Sequence, residues 1–281
     1  MNGKILSRLG VFFIGVPAII ALIFLSQFNH LAIHIVVTII SFLASTELFH
    51  IFSLNFNLKN KFLIASLTCS IHLVMLFKAL FNFDIVYVDY VYIFTILFVM
   101  GKEVFSGDNF ADSNARIVSS VTILTYAGFL WTFVSRLTFL AHSKEVLILF
   151  LTMVFFCDSL AWFFGVLFGK NNKGFIKASP NKSIAGFCGG FAGSVLSGVV
   201  CFLWKGDVFA GSIFKIIFLG LVIGLTSIIG DLVESVLKRS SNCKDSGSLI
   251  PGRGGILDSI DSIVFSAPVF YILINLLYPG V

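Results

Sequence analysis

Long apolar runs broken by short polar stretches dominate the chain. A helix that crosses the hydrocarbon core of a bilayer needs about 20 mostly apolar residues. Runs of that kind recur at roughly 9–29, 31–53, 62–82, 85–101, 117–140, 146–169, 185–204, 208–229 and 260–279. The fourth is short and carries Asp89. The pattern predicts an all-α, polytopic integral membrane protein with about nine transmembrane helices. Once the spans are removed no stretch is long enough for a soluble domain. Residues 1–281 therefore read as a single transmembrane domain, with N-terminal spans over about 1–140 and the polar loops concentrated in 141–281.

Composition supports this reading. Of the 281 residues, 58% are hydrophobic and only 12% are charged, and the mean hydropathy is +1.02. An ordinary soluble domain is about 45–50% apolar and about 25% charged. So few charges cannot cover a globule of this size in water, and the 34 Phe residues suit a surface solvated by lipid. A water-soluble monomer, a disordered chain and a disulfide scaffold are excluded. The net charge of +5 comes without a basic stripe interleaved with aromatics, so no nucleic-acid partner is expected. Four of the five cysteines lie in apolar runs and none forms a CxxC pair, and the five histidines form no HExxH. Zinc is not expected.

The placement of Lys and Arg predicts orientation. With the N-terminus cytoplasmic, the inner segments 1–8, 54–61, 102–116, 170–184 and 230–259 hold 14 of the 19 basic residues. The outer segments hold only Lys144 and Lys205. Lys4 and Arg8 precede the first span without a small-residue cleavage site after it, which reads as an uncleaved anchor.

Two polar segments remain for chemistry, 170–184 and 230–262. The seventh span before the second of them carries Gly186, Gly190 and Ser194, and also Gly189, Gly193 and Ser197, at four-residue spacing. Inside an apolar helix that stripe reads as close packing through small residues rather than a phosphate loop. Gly220 and Gly224 in the eighth span read the same way.

If the eighth helix continues past Gly230, then Asp231, Glu234, Ser235 and Lys238 share one face, with Arg239 following. A solvated helix exit would carry the same residues. After a turn-rich loop holding Lys244, Asp245, Arg253, Gly254 and Gly255, a second acidic pair, Asp258 and Asp261, opens the last span. Carboxylates at the facing ends of consecutive helices suit Mg²⁺, which uses one or two of them plus substrate phosphates. Glycine amides and basic side chains between them suit phosphate oxygens. A salt-bridged hairpin explains the charges but not the glycines. Asp158 lies within the sixth span, and an acid there is costly enough to mark a site. Ser179-Pro180 begins a turn, and Lys182-Ser183 after it can meet a phosphate. Glu47, an acid inside the second span, reads equally well as structural or functional.

Together these pieces resemble the phosphatidate cytidylyltransferase (CDP-diacylglycerol synthase) family. The resemblance rests on Ser235-Val-Leu-Lys238-Arg239, Lys244-Asp245-Ser-Gly and Pro251-Gly-Arg-Gly-Gly-Ile-Leu-Asp258-Ser-Ile-Asp261, which keep the signature's spacing. Upstream, Asp158-Ser-x-Ala-Trp-x-x-Gly165, Gly169-Lys170 and Ser179-Pro180-x-Lys182-Ser183 look like its second motif. The chain departs from the family with Arg253 in place of His, Ser259 in place of Arg, Ala185 in place of Glu, Trp162 in place of Tyr and Ser183 in place of Thr.

The resemblance implies transfer of CMP from CTP to phosphatidic acid, giving CDP-diacylglycerol and pyrophosphate. It implies a site on the cytoplasmic face of a bacterial inner membrane, Mg²⁺ with room for a second cation, and a homodimer. Asp231 and Asp258 would hold the metal. Ser235, Lys238, Arg239, Lys244, Asp245 and Asp261 would complete the catalytic set, and Asp158, Ser179, Pro180, Lys182, Ser183, Arg253, Gly254 and Gly255 would bind substrate. Three other readings stay open: a CTP-dependent enzyme acting on another lipid, such as an isoprenoid alcohol kinase or CDP-archaeol-type synthase; a membrane transporter; and a degenerate, inactive homologue.

The Arg missing at Ser259 removes a phosphate contact, which a guanidinium at Arg253 is suited to replace. Arg253→Ala is then expected to raise the requirement for CTP or lipid strongly, measured as the concentration giving half-maximal turnover.

Overall fold

The computed structural model describes residues 2–105, 110–252 and 254–281, with side chains from Phe13 onward. Arg253 therefore lies outside the described residues. The chain folds into α1 (Asn2–Phe24), α2 (Gln27–Ser53), α3 (Lys61–Phe81), α4 (Val86–Val104), α5 (Ser113–Ile123), α6 (Thr132–Leu137), α7 (Ser143–Phe168), α8 (Ile184–Trp204), α9 (Ile213–Ser240) and α10 (Leu257–Leu277), with a π-helical stretch (Leu124–Leu130) joining α5 to α6. Each predicted apolar run lies mostly on helix, although that over 9–29 crosses the break between α1 and α2 and that over 208–229 begins before α9. In lipid the backbone must satisfy its own hydrogen bonds, and a helix does so within one segment.

Among the described residues, seven helical stretches are long and apolar enough to cross a membrane: α2, α3, the run from α5 through α6, α7, α8, α9 and α10. The described apolar part of α1, Phe13–Phe24, is shorter, and α4 carries Asp89, Lys102 and Glu103 within 19 residues. Large apolar side chains such as Phe62, Phe94, Trp162, Leu203 and Phe214 are exposed on the outside. In water such a surface would aggregate; in a bilayer it is solvated. The protein is an integral membrane protein with a polytopic helical fold.

The chain divides into two compact units. The first comprises residues 1–136 and 240–259. Here the span predicted as one helix over 117–140 is interrupted by the π-helical stretch. The wider turn alters the i−4 hydrogen-bond ladder, and the Ala127 carbonyl accepts a hydrogen bond from Ser41 Oγ of α2 at 2.7 Å. The indole N–H of Trp131 donates to the Val37 carbonyl at 2.9 Å. Asp89, the charge that weakens the fourth span, meets Arg136 at 2.8 Å. Buried Glu103 and Arg116 meet at 2.9 Å.

The second unit comprises residues 137–239 and 260–281, and glycines set its packing. A β-carbon at Gly189 would lie 2.7 Å from the Leu160 carbonyl oxygen, and one at Gly193 would overlap the backbone of Phe156. The small-residue stripe of α8 thus lies directly on α7, the packing role its spacing predicts. Gly220 of α9 approaches the α8 backbone at Val195 in the same manner.

Gly193→Leu is expected to force α7 and α8 apart at a cost of about 1–3 kcal/mol, the usual scale of overpacking. A lower apparent Tm in detergent would register it; an unchanged Tm would refute the close seam.

Candidate active site

In the second unit, the polar face predicted for α9 turns inward. Glu234, Ser235 and Lys238 are buried, Asp231 is half-buried, and apolar Val236 is exposed. A solvated helix exit would show the reverse. Glu234 pairs with Lys238 one turn later, so this face holds its own countercharge. Arg239, next along, is exposed.

Asp231 meets a cation from a different element, with its Oδ2 lying 2.6 Å from Lys182 Nζ. The chain places that lysine by local turns. Ser179 accepts at its carbonyl from the Lys182 N–H at 3.1 Å, closing a turn around exposed Pro180. Ser183 is buried and caps α8, its Oγ accepting from the Gly186 N–H at 3.0 Å. A β-carbon at Gly169 would overlap this serine, and one at Gly165 would crowd it at 3.3 Å, which gives those two motif glycines a packing reason. Lys182 therefore precedes a fixed cap and reaches Asp231 from it.

Asp158 of α7 is held by hydroxyls. Its Oδ1 accepts from Ser227 Oγ of α9 at 3.3 Å and from Ser262 Oγ of α10 at 3.4 Å. Asp261 is buried, and its Oδ1 accepts from the Ser262 N–H at 2.6 Å. Asp158, Asp231 and Glu234 all lie within electrostatic reach of Asp261. The second unit thus gathers Asp158, Lys182, Asp231, Glu234, Lys238 and Asp261, from three helices and one loop, into a single polar interior. Its carboxylate and hydroxyl oxygens are the donor set of a hard cation. Among the described residues no group of three or more acidic, histidine or cysteine side chains is arranged to hold a metal alone.

In the first unit, the loop between α9 and α10 wraps around Asp258. Ile250 and Gly254 pair through both backbone hydrogen bonds, at 2.8 and 3.1 Å, closing a tight turn over Pro251 and Gly252. Gly254 has φ +113°, where side-chain-bearing residues are strained, and a β-carbon there would also overlap the Asp258 carboxylate. Asp258 Oδ2 accepts from the Ser246 N–H at 2.9 Å, Ser246 Oγ at 2.9 Å and the Gly255 N–H at 2.7 Å. The Gly255 amide, expected to face a phosphate, is thus engaged by Asp258. Lys244 and Asp245 are exposed on the loop.

Sequence reasoning left two parts of this arrangement without a role. Ser246 sits inside a quoted motif, but neutral hydroxyls carry little signal. Glu47 of α2 accepts from Ser246 Oγ at 2.8 Å and from the N–H groups of Ile256 and Leu257 at 2.9 and 2.8 Å. The only advance sign was an acid inside a span.

Comparison with known proteins bears on this polar interior and loop. A family model described as "Cytidylyltransferase family" matches residues 6–277. The chain belongs to the cytidylyltransferase family. It is 41% identical over 137 residues to a phosphatidate cytidylyltransferase of Synechocystis (48% of this chain, 44% of that protein). It is 35% identical over 161 residues to the Thermotoga maritima phosphatidate cytidylyltransferase (56% and 58%). It is 35% identical over 176 residues to one from Staphylococcus epidermidis (63% and 65%). The aligned part thus spans from under half to just under two thirds of these relatives. The family match takes in both polar segments, so the cytidylyltransferase framework covers every site residue named above.

Gly255→Ala is expected to open the loop, because a β-carbon there would overlap Ser246 Oγ and the Glu47 carboxylate. An overpacking cost of about 1–3 kcal/mol corresponds to roughly 5–150-fold more open loop. Trypsin cleavage after Lys244 should accelerate accordingly, and an unchanged rate would refute the packing.

Proposed function

We propose that this chain is a phosphatidate cytidylyltransferase. A phosphate oxygen of phosphatidic acid attacks the α-phosphorus of CTP, the bond from that phosphorus to the bridging oxygen breaks, and pyrophosphate leaves with the electron pair. The products are CDP-diacylglycerol and pyrophosphate. The observation that carries this reading is a family match spanning both polar segments, where a buried lysine–carboxylate interior lies under helix ends and the relatives named above bear that activity in their names.

The nucleophile is already anionic, so no strong general base is required. The obstacle is to bring two highly charged phosphates together, and catalysis is then positioning and charge neutralisation. Lys182 would exchange its contact with Asp231 for a nucleotide or lipid phosphate, with Ser179 and Ser183 beside it. Lys238, Arg239, Lys244 and Arg253 would neutralise the remaining phosphate charge, and Ser235 would donate a hydrogen bond. Asp231 and Asp258 would hold Mg²⁺, which supplies electrostatic stabilisation of the phosphates and the departing pyrophosphate. The all-oxygen donor set fits that ion, and substrate phosphates would complete its shell. Asp158, Asp245 and Asp261 would orient these groups or serve a second cation.

The excess of basic residues on segments assigned to the inside supports a cytoplasmic N-terminus and a site facing the cytoplasm. The acyl chains would remain in the bilayer and enter sideways between helices.

The deciding assay supplies labelled CTP, phosphatidic acid and Mg²⁺ to purified protein. A labelled liponucleotide with release of pyrophosphate is expected. Labelled product only with an isoprenoid alcohol, or with another lipid acceptor, would overturn the assignment. Asp258→Asn is expected to abolish turnover while leaving the protein folded in membranes; full activity in that variant would sink the metal assignment.

A further inference from the structure

Glu47 stands outside the motifs that carry the family resemblance, yet it holds together the loop that carries one of them. Ile256 occupies the position before the helix, and its side chain cannot accept a hydrogen bond. The first amides of a helix lack intrahelical partners and attract negative charge. Glu47 supplies both from α2: its Oε1 accepts from the Ile256 N–H and its Oε2 from the Leu257 N–H. Oε2 also accepts from Ser246 Oγ. That same hydroxyl, on a residue only 2% exposed, lies 2.9 Å from Asp258 Oδ2.

A hydroxyl has one hydrogen to give, so Glu47 and Asp258 share it. Ser246 and Gly255, the two residues described above as donating to Asp258 Oδ2, are both tied to Glu47 in this way. Ser246 bonds it directly, and Gly255 is joined by a peptide bond to Ile256, which bonds it directly. The Asp258 carboxylate is therefore oriented by donors that Glu47 fixes in place.

We propose that Glu47 is a positioning residue for Asp258. Its carboxylate anchors the first turn of α10 and Ser246 to α2, and so sets the geometry with which Asp258 meets a divalent cation. The inference rests on the reading of Asp258 as a metal ligand. It goes beyond that reading by giving α2, outside both motifs, a part in metal affinity.

The test uses full-length protein in detergent and two readouts. The first is Mn²⁺ binding by electron paramagnetic resonance, with no CTP or lipid present. Glu47→Gln keeps the side chain's size but removes its charge and one acceptor. Its Kd for Mn²⁺ is expected to rise roughly 10–100-fold, the scale for loss of a residue that orients a metal ligand. Ser246→Ala, which keeps the Glu47 contacts with the Ile256 and Leu257 amides but removes the hydroxyl that accepts from the Asp258 N–H, should shift Kd in the same direction. The double variant should fall well short of the sum of the two free-energy changes, because both act through one hydroxyl. The second readout is the Mg²⁺ dependence of turnover. Half-saturating Mg²⁺ should rise by a similar factor in Glu47→Gln, and excess Mg²⁺ should restore the rate toward wild type, which a merely misfolded protein would not show.

Unchanged Mn²⁺ affinity in Glu47→Gln alongside weakened affinity in Asp258→Asn overturns the Glu47 proposal alone. Wild-type Mn²⁺ affinity in Asp258→Asn overturns the metal reading and this proposal together. The expected Mn²⁺ shifts in a protein that makes no liponucleotide support the Glu47 role and overturn only the assigned reaction. If Glu47→Gln fails to fold, Ser246→Ala decides, and an unshifted Kd there overturns the proposal.

Discussion

A charge near hydrocarbon has no water to fall back on, and several charges in these helices meet a partner from another element or another turn. Asp89 meets Arg136, and Glu103 meets Arg116. Asp231 meets Lys182, Glu234 meets Lys238, and Glu47 meets the opening amides of α10. A buried ion deprived of its partner costs several kcal/mol, so these contacts fix which faces turn inward. Three of these residues, Lys182, Asp231 and Lys238, are also among those proposed to handle phosphate and metal.

Close helix approach makes those pairings reachable. The glycine stripe of α8 lies on α7, and the Ser183 cap at its start lies against Gly165 and Gly169. Lys182, one residue before that cap, inherits a fixed origin, and its side chain spans the distance to α9. Packing residues without chemistry of their own thus determine where the Lys182 ammonium lies. The glycines of the loop before α10 act differently. Gly254 and Gly255 leave room for the Asp258 and Glu47 carboxylates to approach the backbone.

Much of this was legible in the sequence because apolar run length and residue spacing are local quantities. Most of each predicted span is helix, and the shared polar face of α9 follows from the i, i+3, i+4 spacing of Asp231, Glu234 and Ser235. The small-residue stripes were likewise legible as packing. The π-helical interruption at Leu124–Leu130 was not, since a slightly wider turn leaves hydropathy unchanged. Nor was the contact of Lys182 with Asp231, or that of Asp158 with Ser227 and Ser262. Spacing places a residue on a face but does not select its partner on another helix. Glu47 shows the limit most clearly: nothing near it in the chain indicates that its acceptors serve amides more than 200 positions away.

That separation has a consequence for the order of assembly. The α2 helix is made about 200 residues before Ile256 and Leu257. The loop between them, 209 residues for Ile256, is long, and such contacts form late because their entropy must be met before they contribute. Until those residues are made the Glu47 carboxylate must wait for the amides it will cap. The turn proposed to orient Asp258 therefore settles late, and the proposed metal geometry cannot precede the closing of that loop.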